Sequence, residues 1–262
     1  MLYTSRTIKV SIPYIQEAIT SKDEFEALAF CLLVKLNVTA STIHHATYRR
    51  LKDITHMGSD RLKRIVSFCK EHGMLYFEND TMHIGRIFKE GGNIYKFKIR
   101  HMKRNGKELR FFLSLANVKD MLRRAVVANH INKVENIRQT SSLTINPKSL
   151  KEYKKGRKLV RRLAVWGFDF FISNRRLANI ANCSISKIQK IKSKMIKAHE
   201  IERTFSNYVV CDNAADFDVC AYRSYCDDTH FLFEHNGKIY KHNPNVYNYV
   251  GNNIVYVPKN NK

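Results

Sequence analysis

Between Leu177 and Lys190 the chain reads Leu-Ala-Asn-Ile-Ala-Asn-Cys-Ser-Ile-Ser-Lys-Ile-Gln-Lys. Helical spacing puts Ile188, Ile191 and Met195 on one face. Ser184 opens that helix, and Ser186, Lys187, Gln189 and Lys190 project from the other face. A glutamine can pair bidentately with adenine and a lysine with guanine. Lys194 and Lys197 lie further along, better placed for phosphate oxygens than for base edges. Arg175 and Arg176 begin the short preceding helix, whose N-terminal turn can approach an anionic backbone. A second stretch, from about Asp60 to His72, turns Arg61, Lys63, Arg64 and Lys70 outward from Leu62, Ile65, Val66 and Cys69. Asp60 and Glu71 dilute its charge, so a solvated face on a protein-interaction module competes with a binding role there.

Other groupings have the residue types for chemistry but not the spacing. Cys211, Cys220, Cys226 and His230 lack the close pairs that structural zinc sites use. His44 and His45 are adjacent, so their rings project in different directions. His101-Met102-Lys103-Arg104 has the H-x-x-R spacing of tyrosine recombinases, but it sits beside a predicted turn and lacks the partner boxes. No G-x-x-x-x-G-K-[ST] occurs, which argues against an ATP-driven motor. Phe111, Phe112, Phe168, Phe170 and Phe171 could stack on single-stranded bases, yet core packing is the simpler reading. Tyr153, beside Lys154 and Lys155, is a conceivable nucleophile for a strand-nicking rival. No metal and no cofactor is expected.

Charge narrows the partner. The 262 residues hold 46 Lys+Arg against 23 Asp+Glu, a net charge of +23. Residues 204–262 carry five basic and six acidic groups, whereas residues 148–203 carry 16 basic and four acidic ones. A codon bias towards lysine would not leave one end neutral. A field this localised calls for a polyanion, and nucleic acid leads because each neutralised phosphate releases counterions. An anionic membrane lacks support, since no basic amphipathic helix with an insertion face is found. Apolar residues at 44% exclude a disordered basic tail. No run of 18 apolar residues and no leader-like h-region is seen. The expected location is the cytoplasm, with all six cysteines as thiols.

These groups need elements to hold them. Ser21-Lys22-Asp23-Glu24 has the form of a capping box and precedes Phe25, Leu28, Ala29, Leu32, Leu33 and Leu36 at helical spacing. Short helices are expected from Thr47 to His56 and from about Asp60 to His72, where Gly73 stops the second. Strands follow at 74–78 and 82–88 around Asn79-Asp80, then a hairpin of 94–100 with 108–115 around Arg104-Asn105-Gly106. A helix is expected over 116–134 and a linker over 138–149. The pattern then returns: a basic helix from about Leu150 to Trp166, a short helix capped by Ser173, a longer one from about Ile185 to His199, and a strand at 204–211. Short strands close the chain, including an Asn236-Gly237 hairpin and Ile254–Val257. Subtracting 126 lays Leu177, Ile180, Cys183, Ile188, Ile191, Met195 and Ile201 on Leu51, Ile54, Met57, Leu62, Ile65, Cys69 and Leu75. Seven apolar positions at one offset predict a duplicated structural unit.

The Leu177–Lys190 stretch resembles the helix-turn-helix of winged-helix DNA-binding proteins: Leu-Ala, a spacer, a Ser opening the second helix, a buried Ile, then polar readers. Lys194-Met195-Ile196-Lys197-Ala198-His199-Glu200-Ile201 is similar to the close of that helix, with His199 where a Gly is usual. In the first unit Gly73 restores the Gly, while Lys52 replaces the Ala after Leu51. The resemblance covers about half the chain and implies an α+β fold. That fold would have two tandem winged-helix units with hairpin wings, a connecting helix and a small β-rich C-terminal region. The expected divisions are 1–137, 148–210 as main DNA reader, and 211–262. Tandem winged helices in a basic chain of this size are similar to plasmid and phage replication initiators. That likeness implies a non-enzymatic protein that binds double-stranded DNA sequence-specifically for replication initiation or origin recognition. It also implies a homodimer and contact with replication or transcription machinery. Alternatives kept open are a transcription regulator of a mobile element, a DNA nicking or recombining enzyme, and an RNA-binding structural protein.

Overall fold

Ser21 opens the first long helix as its spacing predicts: the Glu24 amide donates to Ser21 Oγ at 3.4 Å. The computed structural model describes residues 2–38, 42–85, 92–104, 107–109, 113–142, 173–211 and 232–257. The chain begins with β1 (Leu2–Ser11) and α1 (Ile12–Ala18), followed by α2 (Lys22–Val38). Every residue from Phe25 to Val34 is buried. A helix buried on all sides forms the centre of a core rather than its edge, so α2 is the axis on which the first part of the chain is built.

The first repeat follows it. β2 (Thr42–Ile43) leads to α3 (Tyr48–Thr55) and α4 (Ser59–Glu71), then to β3 (Leu75–Glu78) and β4 (Thr81–Ile84). Thr47 caps α3 by accepting the Arg50 amide at 3.2 Å, the short-polar N-cap that satisfies an orphan donor. His56 takes a left-handed φ of 53° at its end. Leu51, Leu62, Ile65, Val66 and Cys69 are buried, as their periodicity predicts. The strands form a sheet of order β2-β4-β3. Asn79 and Asp80 both have positive φ, the backbone that a two-residue hairpin turn needs.

β5 (Gly92–Arg104) is longer than its sequence pattern suggests, and its main partner is the N-terminal strand β1, which the sequence reading does not anticipate. β6 (Lys107–Leu109) does pair with β5 across the expected turn. The described part of the second hairpin arm ends at Leu109, and Leu115, expected as the last residue of that arm, belongs to the next helix. That helix, α5 (Leu115–Ser142), runs through the beginning of the expected linker. Its Ser, Thr and Asn residues are weak helix formers, but no Gly or Pro interrupts it before Pro147, and weak propensity alone does not end a helix.

The second repeat comprises α6 (Asn174–Ile180), α7 (Ile185–Lys197) and β7 (Ile201–Cys211). β8 (Leu232–His235) and β9 (Lys238–Tyr249) complete a sheet of order β7-β9-β8. β9 carries an extra residue against β7 between Asn243 and Val246. Pro244 lies in that bulge, where its missing N–H interrupts no ladder bond. The 126-residue offset holds for the backbone as well as for apolar positions. Tyr48 maps to Asn174, Ser59–Glu71 to Ile185–Lys197, and Leu75 to Ile201. The left-handed residues map too: His56 (φ 53°) to Asn182 (43°), and Gly73 (63°) to His199 (50°). His199 therefore adopts the backbone that a Gly would adopt there.

The chain forms two compact units. The first takes in Met1–His130, Asn174–Met195 and Gly251–Lys262, and the second Ile131–Ser173 and Ile196–Val250. The partition falls within α5 and within α7. In the first unit, β10 (Ile254–Val257) pairs with β5 in a sheet of order β1-β5-β10, with β6 beside β5. The β7-β9-β8 sheet belongs to the second. The divisions expected from sequence follow the chain, whereas this partition follows packing. Overall the molecule is α+β, with seven helices and small antiparallel sheets among the described residues. None of these helices is long and apolar enough to cross a membrane.

Candidate nucleic-acid interface

Ser184 fixes the start of α7. Its Oγ accepts the Lys187 amide at 3.2 Å and lies 3.0 Å from Ser186 Oγ. The hydroxyl that the sequence places at the opening of this helix thus serves as its cap. Ile188, Ile191 and Met195 are buried as expected. Lys192 joins them, its ammonium donating to Asn174 Oδ1 at 2.9 Å. Its aliphatic stem packs inward while the charged end finds a polar partner on α6. The opposite face leaves Ser186, Gln189, Lys190, Ser193, Lys194 and Lys197 exposed, together with Ile185 and Ile196. α7 contains five lysines and no carboxylate.

Lys187 does not join that outward set. Its Nζ lies 2.6 Å from Asp120 Oδ2 on α5, and the lysine side chain is only 36% exposed. The first turn of α7 has no acid of its own for Lys187 to pair with, and Asp120 supplies one from a neighbouring helix. Arg123, one turn along α5, reaches the same carboxylate at 3.8 Å and donates to the Ala181 carbonyl at 3.3 Å. Asn182 donates to the Ile19 carbonyl at 2.8 Å. The turn between α6 and α7 is therefore clamped to α5 and to the end of α1. Arg175 is exposed, whereas Arg176 is half-buried and already partnered.

On α4 two of the four cations expected to face outward, Arg61 and Arg64, serve the core. Glu26 of α2 is buried to 3% side-chain exposure. Arg61 grips its Oε1 through Nε at 2.8 Å and also through Nη2, Arg64 reaches Oε2 at 3.1 Å, and Lys119 reaches Oε1 at 3.3 Å. Burial pushes the Glu26 carboxyl up, but the Arg61 hydrogen bonds and the Lys119 charge outweigh it and hold the group below the usual carboxylate range. The Arg61 and Arg64 side chains nonetheless keep 50% and 60% of their surface exposed, and Lys63 is exposed. Arg61 stands at the repeat position of Lys187, so each copy's helix spends the same cation on an internal acid.

The hairpin after α4 carries aromatic groups that the sequence reading passed over. Tyr76 stacks on His83 across the strands with centroids 4.8 Å apart, and Lys70 sits 4.3 Å above the Phe77 ring. Cross-strand register set by the Asn79-Asp80 turn was the available signal. Cys31 and Cys69 are buried with sulfurs 3.9 Å apart. Their mutual hydrogen bond and burial push the Cys69 thiol strongly up. Burial also raises Cys183.

Among the described residues no group of three His, Cys, Asp or Glu side chains could hold a metal ion. Cys220, Cys226 and His230 lie outside the described residues, as do the basic helix expected at 150–166, Tyr153 and the phenylalanines at 111–112 and 168–171. His101-Met102-Lys103-Arg104 lies along β5, ending at its turn. Compared with known proteins, the chain matches no family model, no curated sequence and no solved structure.

Proposed function

We propose that the chain is a non-enzymatic, sequence-specific binder of double-stranded DNA built on two tandem winged-helix units, with α7 as the reading helix. The observation that carries this reading is the outer face of α7: exposed Lys190, Lys194 and Lys197 flanked by Gln189, Ser186 and Ser193, with no carboxylate in the helix. Cations along a helix neutralise phosphates, and an amide beside them can read a base edge in the major groove. The order α3, α4, β3, β4 with β2 alongside supports the winged-helix reading of the first copy. The order α6, α7, β7 with β9 paired to it supports the second. The clamp through Asp120, Arg123 and Asn182 gives α7 the fixed posture that readout requires.

Replication initiation on a phage or plasmid is the biological role proposed with it. Selection of bound duplexes from a random pool tests both levels. Enrichment of one sequence supports specific readout, and direct repeats of it near an origin support initiation. A pool that stays random contradicts specific readout, and a lone promoter operator contradicts the initiation role.

A further inference from the structure

Ile185 and Gln189 stand one turn apart on the same flank of α7. Both are exposed, and Ile185 keeps 45% of its surface in water although it is a large apolar residue at the first position of the helix. At 1.5 Å per residue they are separated by about 6 Å along the axis and by about 40° around it. That distance spans one or two base steps at about 3.4 Å each. Lys190 lies on the central outward ridge beside them, and Asp120 holds Lys187 on the opposite flank. The first repeat has Ser59 and Lys63 at the equivalent positions, so an apolar group next to an amide belongs to α7 alone.

Resting on the DNA-binding reading above, we infer that Ile185 and Gln189 together read A·T pairs, with the Ile185 side chain against a thymine methyl and the Gln189 amide on a neighbouring adenine. In the major groove, adenine offers an acceptor and a donor that match a side-chain amide, and thymine is the one base that carries a methyl group. An exposed isoleucine has nothing to gain from a phosphate or from the edge of a G·C pair. The three exposed lysines of α7 bring a polyanion to this surface, which makes the duplex groove the occupant that charge complementarity selects.

The test uses the full chain and the tightest duplex recovered from a random pool, with each thymine replaced in turn by deoxyuridine. That change removes the methyl and leaves pairing and charge intact. One position should weaken wild-type binding by about fourfold, the worth of one buried methyl, and should have no effect on Ile185→Ala. Gln189→Ala should lose discrimination at an adjacent adenine while keeping the methyl effect. Uracil tolerated at every position, or weakening wild type and Ile185→Ala equally, would overturn the inference. Lys190→Ala and Lys194→Ala separate this failure from that of the proposed function. If they lower affinity and salt dependence while uracil is tolerated, only the A·T assignment fails. If they change neither, α7 does not face DNA and both readings fail.

Discussion

The Lys187 ammonium lies 2.6 Å from the Asp120 carboxylate, although the helix pattern alone turns Lys187 outward. Both groups are partly exposed, so the pair contributes roughly 0–1 kcal/mol and screens with salt. Its larger consequence is for the proposed DNA binding, since a lysine already neutralised would release no phosphate counterion. Lys190→Ala should lower the slope of log affinity against log salt by about one unit, and Lys187→Ala should lower it clearly less. Asp120→Asn should steepen it. Titrations of a fixed duplex at several salt concentrations check this. Equal losses for Lys187→Ala and Lys190→Ala would mean that the pair opens in the complex.

Glu26 makes a stability prediction of definite sign. Its carboxyl is held below the ordinary range in the folded protein, while an unperturbed glutamate in an unfolded chain titrates at about 4.3. The stability it contributes is present above the unfolded value and is lost as pH falls through the folded one. Urea midpoints measured from neutral pH down to below 4 should therefore fall more steeply for wild type than for Glu26→Gln. At neutral pH Glu26→Gln should cost about 1–3 kcal/mol, because charge-assisted hydrogen bonds from Arg61, Arg64 and Lys119 are weakened. A variant as stable as wild type at pH 7 would contradict the role given to this carboxylate.

Gly73 and His199 occupy one repeat position with left-handed φ of 63° and 50°. A side chain in that region costs about 1 kcal/mol that glycine avoids. His199→Gly should raise the unfolding free energy by about that amount, and Gly73→Ala should lower it similarly. Chemical denaturation of the two variants beside wild type checks the pair, and a loss of stability in His199→Gly would contradict the backbone equivalence.

The repeat itself was legible because apolar side chains every three or four residues must face a core, and Leu51, Leu62, Ile65 and Cys69 do so, as do Leu177, Ile188, Ile191 and Met195. The turns at Asn79-Asp80 and Asn236-Gly237 were legible because few residues tolerate positive φ. The strand β1 was not, since Leu2–Ser11 acquires its meaning only from pairing with β5, some 90 residues away in sequence. The candidate site divides the same way. Exposure of Gln189, Lys190 and Lys194 followed from helix periodicity alone. The diversion of Lys187 to Asp120, and of Arg61 and Arg64 to Glu26, depends on which helices pack together, and no local pattern encodes that.

Cys31 and Cys69 should behave as inert core thiols. Both are fully buried, and the hydrogen bond between them and their burial keep Cys69 protonated, whereas a thiolate is the reactive form. In the native protein a thiol-specific reagent followed by mass spectrometry should leave both unlabelled, and both should label after denaturation. Rapid native labelling at either would contradict the packing of α2 against α4.

The most direct test of the central claim is the salt dependence of binding to double-stranded DNA. If Lys190, Lys194 and Lys197 each neutralise one phosphate, log affinity should fall linearly with log salt with a slope of about −2.7 or steeper. The triple change Lys190→Ala, Lys194→Ala and Lys197→Ala should remove about that much of the slope. A flat response between low and physiological ionic strength, or an unchanged slope in the triple variant, would contradict the assignment of α7 as a DNA-binding helix.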